Sequence, residues 1–243
     1  MILVLFDCDG TLVDSQNMIV EAMRRAYEAN GETPPPRREI LSIVGLSLNN
    51  ALSKLTGTPV DARVLRLVEA YKTSFHDLRA DSTYHEPLFP GALEAVERLA
   101  EMDDVLLGVA TGKSQRGLRA VLEMHNIRQH FSTLQTADDA PSKPHPEMIH
   151  RALRETGADV SQTVVIGDTS FDMEMARNAN SHAIGVSWGY HPTDHLVAAG
   201  AGRILDEFVE LLPALGSIFK NHANLNGANL NGANPNEAKL SKE

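Results

Sequence analysis

The sequence predicts an α/β fold in which a Rossmann-like parallel sheet carries an inserted all-helical segment. Short apolar runs alternate with stretches of helical periodicity over most of the chain, as in parallel sheets with helical crossovers. Residues 15–85 contain no convincing strand, so this segment interrupts the alternation. From about residue 220 the chain has low complexity, with Ala-Asn units that repeat with a period of five.

The first predicted strand is the apolar run "ILVLF" at residues 2–6, of a kind that is buried on both faces. Asp7 and Asp9 follow it directly, and Gly10 ends the extended chain. The two carboxylates point the same way, and at ~4 Å with an effective dielectric near ~20 their repulsion is about 4 kcal/mol. A divalent cation bound by the two aspartates would offset this repulsion. The simpler alternative is that the aspartates only form a turn that ends the strand.

Helical periodicity begins after this strand, where Asp14 or Ser15 is expected to cap the first helix. A second helical stretch, residues 39–55, is interrupted by Gly45. A third helix is expected at residues 61–78, because apolar residues recur there at helical spacing.

The strand and helix alternation returns after the prolines and glycine at residues 87–91. Three further apolar runs predict strands of the same sheet, at residues 105–111, 163–168 and 182–188. We therefore expect an α/β core at residues 1–14 and 86–216, a helical cap domain at residues 15–85, and a disordered tail at residues 217–243.

Composition excludes several classes of function. The chain of 243 residues carries a formal net charge of −10, which argues against nucleic acid or an anionic membrane as partner. The single cysteine, Cys8, excludes a framework of intramolecular disulfides. We see no apolar stretch long enough to span a bilayer and no signal peptide, so a cytoplasmic protein is expected, as a monomer or a homodimer.

Polar residues follow three of the predicted strands, at the edge where parallel sheets bind ligands. Each has a plain structural explanation, as a helix cap, a solvated loop lysine or a strand-end turn. Their joint occurrence at the ends of the proper strands favours a functional site instead. The candidates are Asp7, Asp9, Thr111, Gly112, Asp168 and Asp172, with Lys143 in the intervening loop.

These residues lie in four segments that resemble the motifs of the haloacid dehalogenase-like phosphatases. The segments are "DCDGT", the threonine of "VATGK", the lysine of "SKPHPE", and "GDTSFD". Each is weak by itself, but the four occur in the family's order over residues 1 to about 212. The helical insertion resembles the cap of the phosphoglycolate phosphatase-like branch.

The resemblance implies phosphate ester hydrolysis through a covalent intermediate. Asp7 would be the nucleophile that forms an aspartyl-phosphate, and Asp9 the general acid and then the general base. Thr111, the amide of Gly112 and Lys143 would hold the phosphoryl oxygens.

The resemblance also implies a Mg²⁺ site, whose ligands would be Asp7, the backbone carbonyl of Asp9, and Asp168. Asp172 would orient Lys143 or a metal-bound water. With four carboxylates, one Mg²⁺ and one lysine, the site keeps an uncompensated negative charge, so the substrate anion must be held by directed bonds. Strict metal dependence is therefore expected.

Several alternatives were weighed against this hypothesis. The segment "GVATGKS" is one residue short of a nucleotide-binding P-loop, and Asp9 argues against a dehalogenase, because halide needs no proton. A sugar-phosphate mutase has the same motifs, and a non-enzymatic phosphoacceptor module has a similar set of residues. The expected substrate is a small phosphorylated metabolite, with phosphoglycolate suggested by the branch and specificity expected near residues 44–50.

Overall fold

The computed structural model describes residues 1–81 and 84–220, and it confirms the predicted fold class. Six parallel strands form one sheet, with the spatial order β3-β2-β1-β4-β5-β6. The strands are β1 (Ile2–Phe6), β2 (Val105–Thr111), β3 (Phe131–Thr136), β4 (Thr163–Gly167), β5 (His182–Val186) and β6 (Arg203–Leu205).

Two of these strands, β3 and β6, were not predicted. The β3 sequence contains polar residues that read as loop, yet Thr133 and Gln135 are buried because both side chains bond to the carboxylate of Glu155, at 2.5 and 2.8 Å. The β6 strand is short and lies at the edge of the sheet, paired only with β5. Neither strand has the continuous apolar run on which the prediction relied.

In the described part of the chain, five α-helices lie between β1 and β2, and five more connect or follow the later strands. None of the helices in the described part of the chain is long and apolar enough to cross a membrane. The helices are α1 (Gln16–Ala29), α2 (Arg37–Leu41), α3 (Leu48–Thr56), α4 (Ala62–Ala80), α5 (Ala92–Ala100), α6 (Gln115–Met124), α7 (Glu147–Thr156), α8 (Ser170–Ala179), α9 (Thr193–Ala199) and α10 (Leu211–Ile218).

The helix boundaries follow local signals in the sequence. The stretch predicted at residues 39–55 is divided into α2 and α3, with Gly45 between them at a φ of +97°. Asp61 caps α4 by accepting the amide of Val64 at 2.8 Å. The predicted tail boundary at residue 217 falls inside α10, and the rest of the predicted tail, from residue 221, lies outside the described residues.

The sheet is buried on both faces, as the continuous apolar runs require. Alternate residues of β1 enter two separate cores: Ile2, Val4 and Phe6 pack with residues of α5, α6 and α10, whereas Leu3 and Leu5 pack with residues of α7, α8 and α9. A third apolar cluster lies mainly within α1 to α4. The central strand that leads to Asp7 is thus fully enclosed.

The chain enters and leaves the helical insertion through two adjacent segments. Val13 forms an antiparallel bridge with Leu88, the amide of Asp14 donates to the carbonyl of Pro87 at 2.8 Å, and that of Phe89 donates to the carbonyl of Leu12 at 2.9 Å. The insertion is therefore attached to the sheet by a two-stranded crossing. Its extent as a separate domain stays a prediction.

The segment between α2 and α3 packs directly on the loop that follows β2. A Cβ atom added at Gly112 would lie 2.4 Å from the carbonyl oxygen of Leu46 and 2.7 Å from that of Gly45. Nearby, the Ser142 hydroxyl accepts the amide of Ser47 at 2.8 Å. Only glycine at position 112 permits this approach of two backbones.

We expect Gly112→Ala to destabilise the protein by about 1–3 kcal/mol, because the new methyl group overlaps backbone atoms that have no rotamer to adjust. Urea denaturation measures this change. Gly202→Ala is the matched control, since its Cβ would meet the Ala183 carbonyl oxygen at an ordinary 3.4 Å. Equal stabilities of the two variants would contradict this account of the contact.

Cys8 is fully buried in the core, between the two aspartates that follow β1. Burial, followed by the negative charge of Asp9, raises the pKa of its thiol well above the ordinary value. Because the thiolate is the reactive form, we expect no reaction of the native protein with a disulfide reagent such as DTNB, and complete reaction in denaturant. Rapid labelling of the native protein would show that this part of the core opens.

Candidate active site

Three strands bring polar residues to one edge of the sheet. The central strand β1 lies between β2 and β4, and the amide of Asp7 continues the pairing by donating to the carbonyl of Ile166 at 2.8 Å. Asp7, Thr111 and Asp168 therefore meet at the carboxyl ends of neighbouring strands. The strand order reverses at β1, since β2 and β3 lie on one side of it and β4, β5 and β6 on the other. Open α/β sheets bind ligands at such a point.

Asp7 and Lys143 form a buried ion pair at this edge. Lys143 Nζ lies 2.8 Å from Asp7 Oδ1 and 2.6 Å from Asp172 Oδ1, and all three side chains are at most 1% exposed. The contact with Asp7 is not directed as a hydrogen bond, so neither oxygen of this carboxylate has a hydrogen-bond partner among the described residues. The structure thus brings Lys143 next to Asp7, another of the predicted site residues.

Asp168 is held from both sides. Its Oδ1 accepts the hydroxyl of Thr11 at 3.0 Å, and its Oδ2 accepts the backbone amide of Tyr190 at 2.9 Å. Gly10 permits this packing, since its φ is +86° and an added Cβ would lie 2.2 Å from Asp168 Oδ2. The glycine of the "DCDGT" motif therefore makes room for a carboxylate that comes from another strand.

Asp172 has a structural task as well as its contact with Lys143. It forms a capping box with Thr169 at the start of α8, where its Oδ2 accepts the Thr169 hydroxyl at 2.7 Å. Its other oxygen, Oδ1, contacts Lys143. Each oxygen thus has a separate partner, one in the helix cap and one in Lys143.

Carboxylate oxygens of Asp7, Asp168 and Asp172 all lie within 4.8 Å of one another. This group differs from the predicted metal ligands, because it contains Asp172 and not Asp9. The predicted contribution of Asp9 is a backbone carbonyl, which is a different kind of ligand from these side chains. Three buried carboxylates at this spacing repel one another unless positive charge lies between them.

The electrostatics reflect this crowding. Burial raises the pKa of Asp7 from 3.8 to about 6, with Lys143 opposing and Asp172 adding to the shift. Burial, together with the charges of Asp7 and Asp172, raises the pKa of Asp168 well above its ordinary value. Burial alone would lower the pKa of Lys143, but Asp172 and Asp7 reverse this effect and raise it. One ammonium group therefore does not neutralise the cluster.

Asp9 points to a different set of partners. Its Oδ1 accepts hydrogen bonds from the hydroxyl of Ser15 and from Lys113 Nζ, the latter at 2.5 Å. Ser15, which was expected to cap α1, stands at the cap position but uses its side chain for Asp9 instead. Neither Ser15 nor Lys113 was predicted as a site residue. Ser15 was expected only as a possible helix cap, and Lys113 belongs to the segment "VATGK", of which only the threonine was assigned to a motif.

Lys113 is a second buried ammonium group that the charge count from the sequence did not include. Its Nζ also lies 3.2 Å from Glu86 Oε1, and Glu86 itself pairs with Arg79. Burial alone would lower the pKa of Lys113, but the carboxylates of Asp9 and Glu86 raise it well above the ordinary value. Lys113 therefore stays positively charged and reduces the negative charge of the site.

The side chain of Thr111 does not cap the helix that follows β2, which was the structural alternative to a functional role for this residue. Helix α6 is capped by Ser114, whose hydroxyl oxygen accepts the amide of Gly117 at 3.2 Å. Within residues 1–81 and 84–220, the one hydrogen bond of the Thr111 hydroxyl comes from the amide of Lys113, which it accepts at 3.3 Å. Because it also borders a cavity, its O–H is available to a ligand.

A cavity of about 500 Å³ lies between the sheet edge and the helical insertion. Asp7, Asp9, Thr111 and Gly112 line it, whereas Lys143, Asp168 and Asp172 lie outside this lining. Much of the opposite wall is apolar and comes from the insertion. This wall consists of Ile19, Met23, Ile43, Val44, Leu46, Leu48, Ala51, Tyr71 and Phe75.

The segment predicted to control specificity, residues 44–50, supplies several of the lining residues, including Ser47 and Asn49. Helix α4 adds Lys72, His76 and Arg79 on the same side. His76 Nδ1 lies 3.0 Å from a guanidinium nitrogen of Arg116, which lies on α6, outside the helical insertion. The cavity wall is therefore shared between the insertion and the sheet.

Comparison with known proteins agrees with this architecture. The model of the haloacid dehalogenase-like hydrolase family matches residues 4–186, a range that includes every predicted site residue. A solved structure, a hydrolase from Pseudomonas syringae, superposes with a TM-score of 0.79 and 28% identity, covering 90% of this chain and 99% of that one.

Curated relatives extend the similarity over nearly the whole chain. The protein named "Probable phosphatase IndB" from Dickeya dadantii is 38% identical over 90% of this chain and 95% of its own length. The pyrophosphatase PpaX of Bacillus mycoides is 27% identical over 88% of this chain and 97% of its own length. By the family match and by these similarities, the chain belongs to the haloacid dehalogenase-like hydrolases.

Proposed function

We propose that this protein is a Mg²⁺-dependent phosphatase that hydrolyses a small phosphate monoester through an aspartyl-phosphate formed on Asp7. The observation that carries the proposal is the buried Asp7 carboxylate, which lines the cavity, is paired with Lys143 and has no hydrogen bond of normal geometry on either oxygen among the described residues. Its second oxygen, Oδ2, is not in the Lys143 pair and keeps its electron pairs for attack on phosphorus. The names of relatives that contain the word phosphatase support the same reaction class.

The reaction has two steps that share one acid–base group. First, an oxygen of Asp7 attacks phosphorus while Asp9 gives a proton to the departing alcohol oxygen. Then Asp9 takes a proton from water as the water oxygen attacks phosphorus, and the bond from phosphorus to Asp7 breaks. Inorganic phosphate leaves, and both carboxyl groups return to their starting forms.

Three groups are proposed to hold the phosphoryl oxygens during both steps. The hydroxyl of Thr111 and the backbone amide of Gly112 border the cavity beside Asp7. The ammonium group of Lys143, already 2.8 Å from Asp7 Oδ1, supplies a positive charge at the position of the new bond. Such donors stabilise the transition state most when they are fixed before reaction.

The buried carboxylates fit a Mg²⁺ ion. The cluster offers only oxygen ligands, and both oxygens of Asp7 lack hydrogen-bond donors in the described part of the chain. We propose Asp7, the carbonyl of Asp9 and Asp168 as ligands, with Asp172 kept for Lys143. When bound, the ion supplies positive charge that neutralises the carboxylates and the phosphoryl group.

The substrate is proposed to be a small phosphorylated metabolite in the cytoplasm. Phosphoglycolate is the candidate that the branch resemblance suggests, and pyrophosphate is the one suggested by the PpaX name. The apolar cavity wall favours an ester with an organic leaving group over pyrophosphate, because pyrophosphate would leave that wall without a partner. Direct measurement of inorganic phosphate distinguishes hydrolysis from a mutase reaction, in which the phosphoryl group is transferred to a sugar.

Asp7→Asn is expected to lower the hydrolysis of 4-nitrophenyl phosphate by about 10⁴-fold or more, since the amide cannot form the covalent intermediate. Wild-type activity should need added Mg²⁺ and disappear in EDTA. Release of 4-nitrophenolate measures both effects, and Asp206→Asn, an exposed change distant from the cavity lining, serves as the control. Full activity of Asp7→Asn would overturn the proposal.

The free energy of unfolding should depend on pH through Asp7, because Lys143 does not neutralise the buried carboxylates completely. The folded protein holds the proton of Asp7 more tightly than the unfolded chain, since its pKa rises from 3.8 to about 6. In EDTA, the Asp7 carboxyl therefore lowers the stability of wild type by up to about 3 kcal/mol as pH rises through this range, and Asp7→Asn lacks this contribution while it keeps that of Asp168.

Urea unfolding in EDTA at several pH values tests this difference. Asp7→Asn should become more stable than wild type above about pH 6, and the two should converge below about pH 4. Mg²⁺ should stabilise wild type more than the variant, because the ion binds only the folded carboxylate cluster. A constant difference at all pH values would contradict the raised pKa.

A further inference from the structure

The side chain of Asp9 is held by only one of its two oxygens. Among the described residues, its hydrogen-bond donors are the hydroxyl of Ser15 and Nζ of Lys113, and both donate to Oδ1. No hydrogen bond from the described part of the chain reaches Oδ2. Since Asp9 lines the cavity, Oδ2 is the oxygen left to exchange a proton with a bound molecule.

Lys113 has a second carboxylate partner besides Asp9. Glu86, which is 2% exposed, lies in the segment that returns from the insertion to the sheet. Its Oε1 lies 3.2 Å from Lys113 Nζ. The ammonium group of Lys113 therefore keeps a partner when Asp9 becomes neutral, and it can donate to Oδ1 in either form of the acid.

Glu86 is itself fixed from the helical insertion. Its Oε2 accepts two bonds from the guanidinium group of Arg79, at 2.9 and 2.5 Å, in the last turn of α4. The ring of Phe75, also on α4, lies 5.3 Å from Lys113 Nζ and 5.2 Å from the guanidinium carbon of Arg79. Lys113 is thus enclosed by groups from α4 and the returning segment, which leave its nitrogen directed at Asp9.

We infer that Lys113, held by Glu86, is a positioning residue that fixes Oδ1 of Asp9 and so makes Oδ2 the oxygen that exchanges the proton. This inference rests on the proposed function. In the first step, the proton on Oδ2 passes to the bridging ester oxygen as the bond from that oxygen to phosphorus breaks and the bond to Asp7 forms. In the second step, Oδ2 takes a proton from the attacking water.

Two esters of similar shape distinguish this role from a structural one. Phenolate is a strong base and leaves readily only when it is protonated, whereas 4-nitrophenolate leaves without a proton. With enzyme in excess over substrate, the first release of alcohol reports only the step in which Asp9 is the acid. Asp9→Asn is the reference variant. Its single-turnover rate should fall greatly with phenyl phosphate and only slightly with 4-nitrophenyl phosphate.

Lys113→Met should lower the single-turnover rate with phenyl phosphate by about tenfold or more, and that with 4-nitrophenyl phosphate by less than about twofold. Lys113→Arg should restore part of the loss, because it keeps a charged donor. Arg119→Met, which removes an exposed positive charge from α6, should change neither rate. Glu86→Gln should shift the ratio of the two rates in the same direction as Lys113→Met.

Parallel losses with the two esters, or no loss with either, would overturn the inference while leaving the proposed function intact. If Lys113→Met fails to fold, as judged by circular dichroism and thermal unfolding, the ratio measured with Glu86→Gln decides. A wild-type protein that releases neither alcohol in the presence of Mg²⁺ would overturn the proposed function, and this inference with it.

Discussion

The confinement of three carboxylates at one buried sheet edge is the constraint on which the rest of the site depends. Asp7, Asp168 and Asp172 come from the ends of two adjacent strands and the helix that follows, and their oxygens lie within 4.8 Å of one another. A single ammonium group, that of Lys143, lies among them. Such a cluster is costly in free energy for the folded protein, and its negative charge is what makes a cation site there chemically reasonable.

The surrounding structure is arranged to bear that cost. The Thr11 hydroxyl and the Tyr190 amide take one oxygen each of Asp168, and the capping box at the start of α8 takes one oxygen of Asp172. Asp7 is the exception, because neither of its oxygens receives a hydrogen bond from the described residues. Of the three carboxylates, Asp7 is also the one that lines the cavity, where a bound molecule can reach it.

The helical insertion contributes charge as well as shape to the cavity. Its apolar side chains form one wall, while Arg79 orders Glu86 and, through it, Lys113 beside Asp9. The two crossing segments are bonded to each other near Val13 and Leu88, so the end of α4 and Asp9 are connected over a short path. A change in the position of the insertion would therefore alter the surroundings of Asp9 as well as the access to Asp7.

Local sequence was sufficient for the fold class, the central strands and the residues that meet at their ends, because continuous apolar runs and strand-end polar residues are local signals. It was insufficient for β3 and β6, whose stability comes from Glu155 and from sheet pairing with β5. It also missed the contacts of Lys113 and Glu86 near Asp9, and it offered Asp14 or Ser15 as the cap of α1 without the bond from Ser15 to Asp9. The pairing of Lys113 with Asp9, 104 residues apart, depends on which strands are neighbours and on how α4 returns to the sheet. Sequence alone therefore determined which chemical groups are present at the sheet edge, whereas only the tertiary structure decided which carboxylate oxygens accept hydrogen bonds from the described residues and which do not, because the donors come from distant parts of the chain.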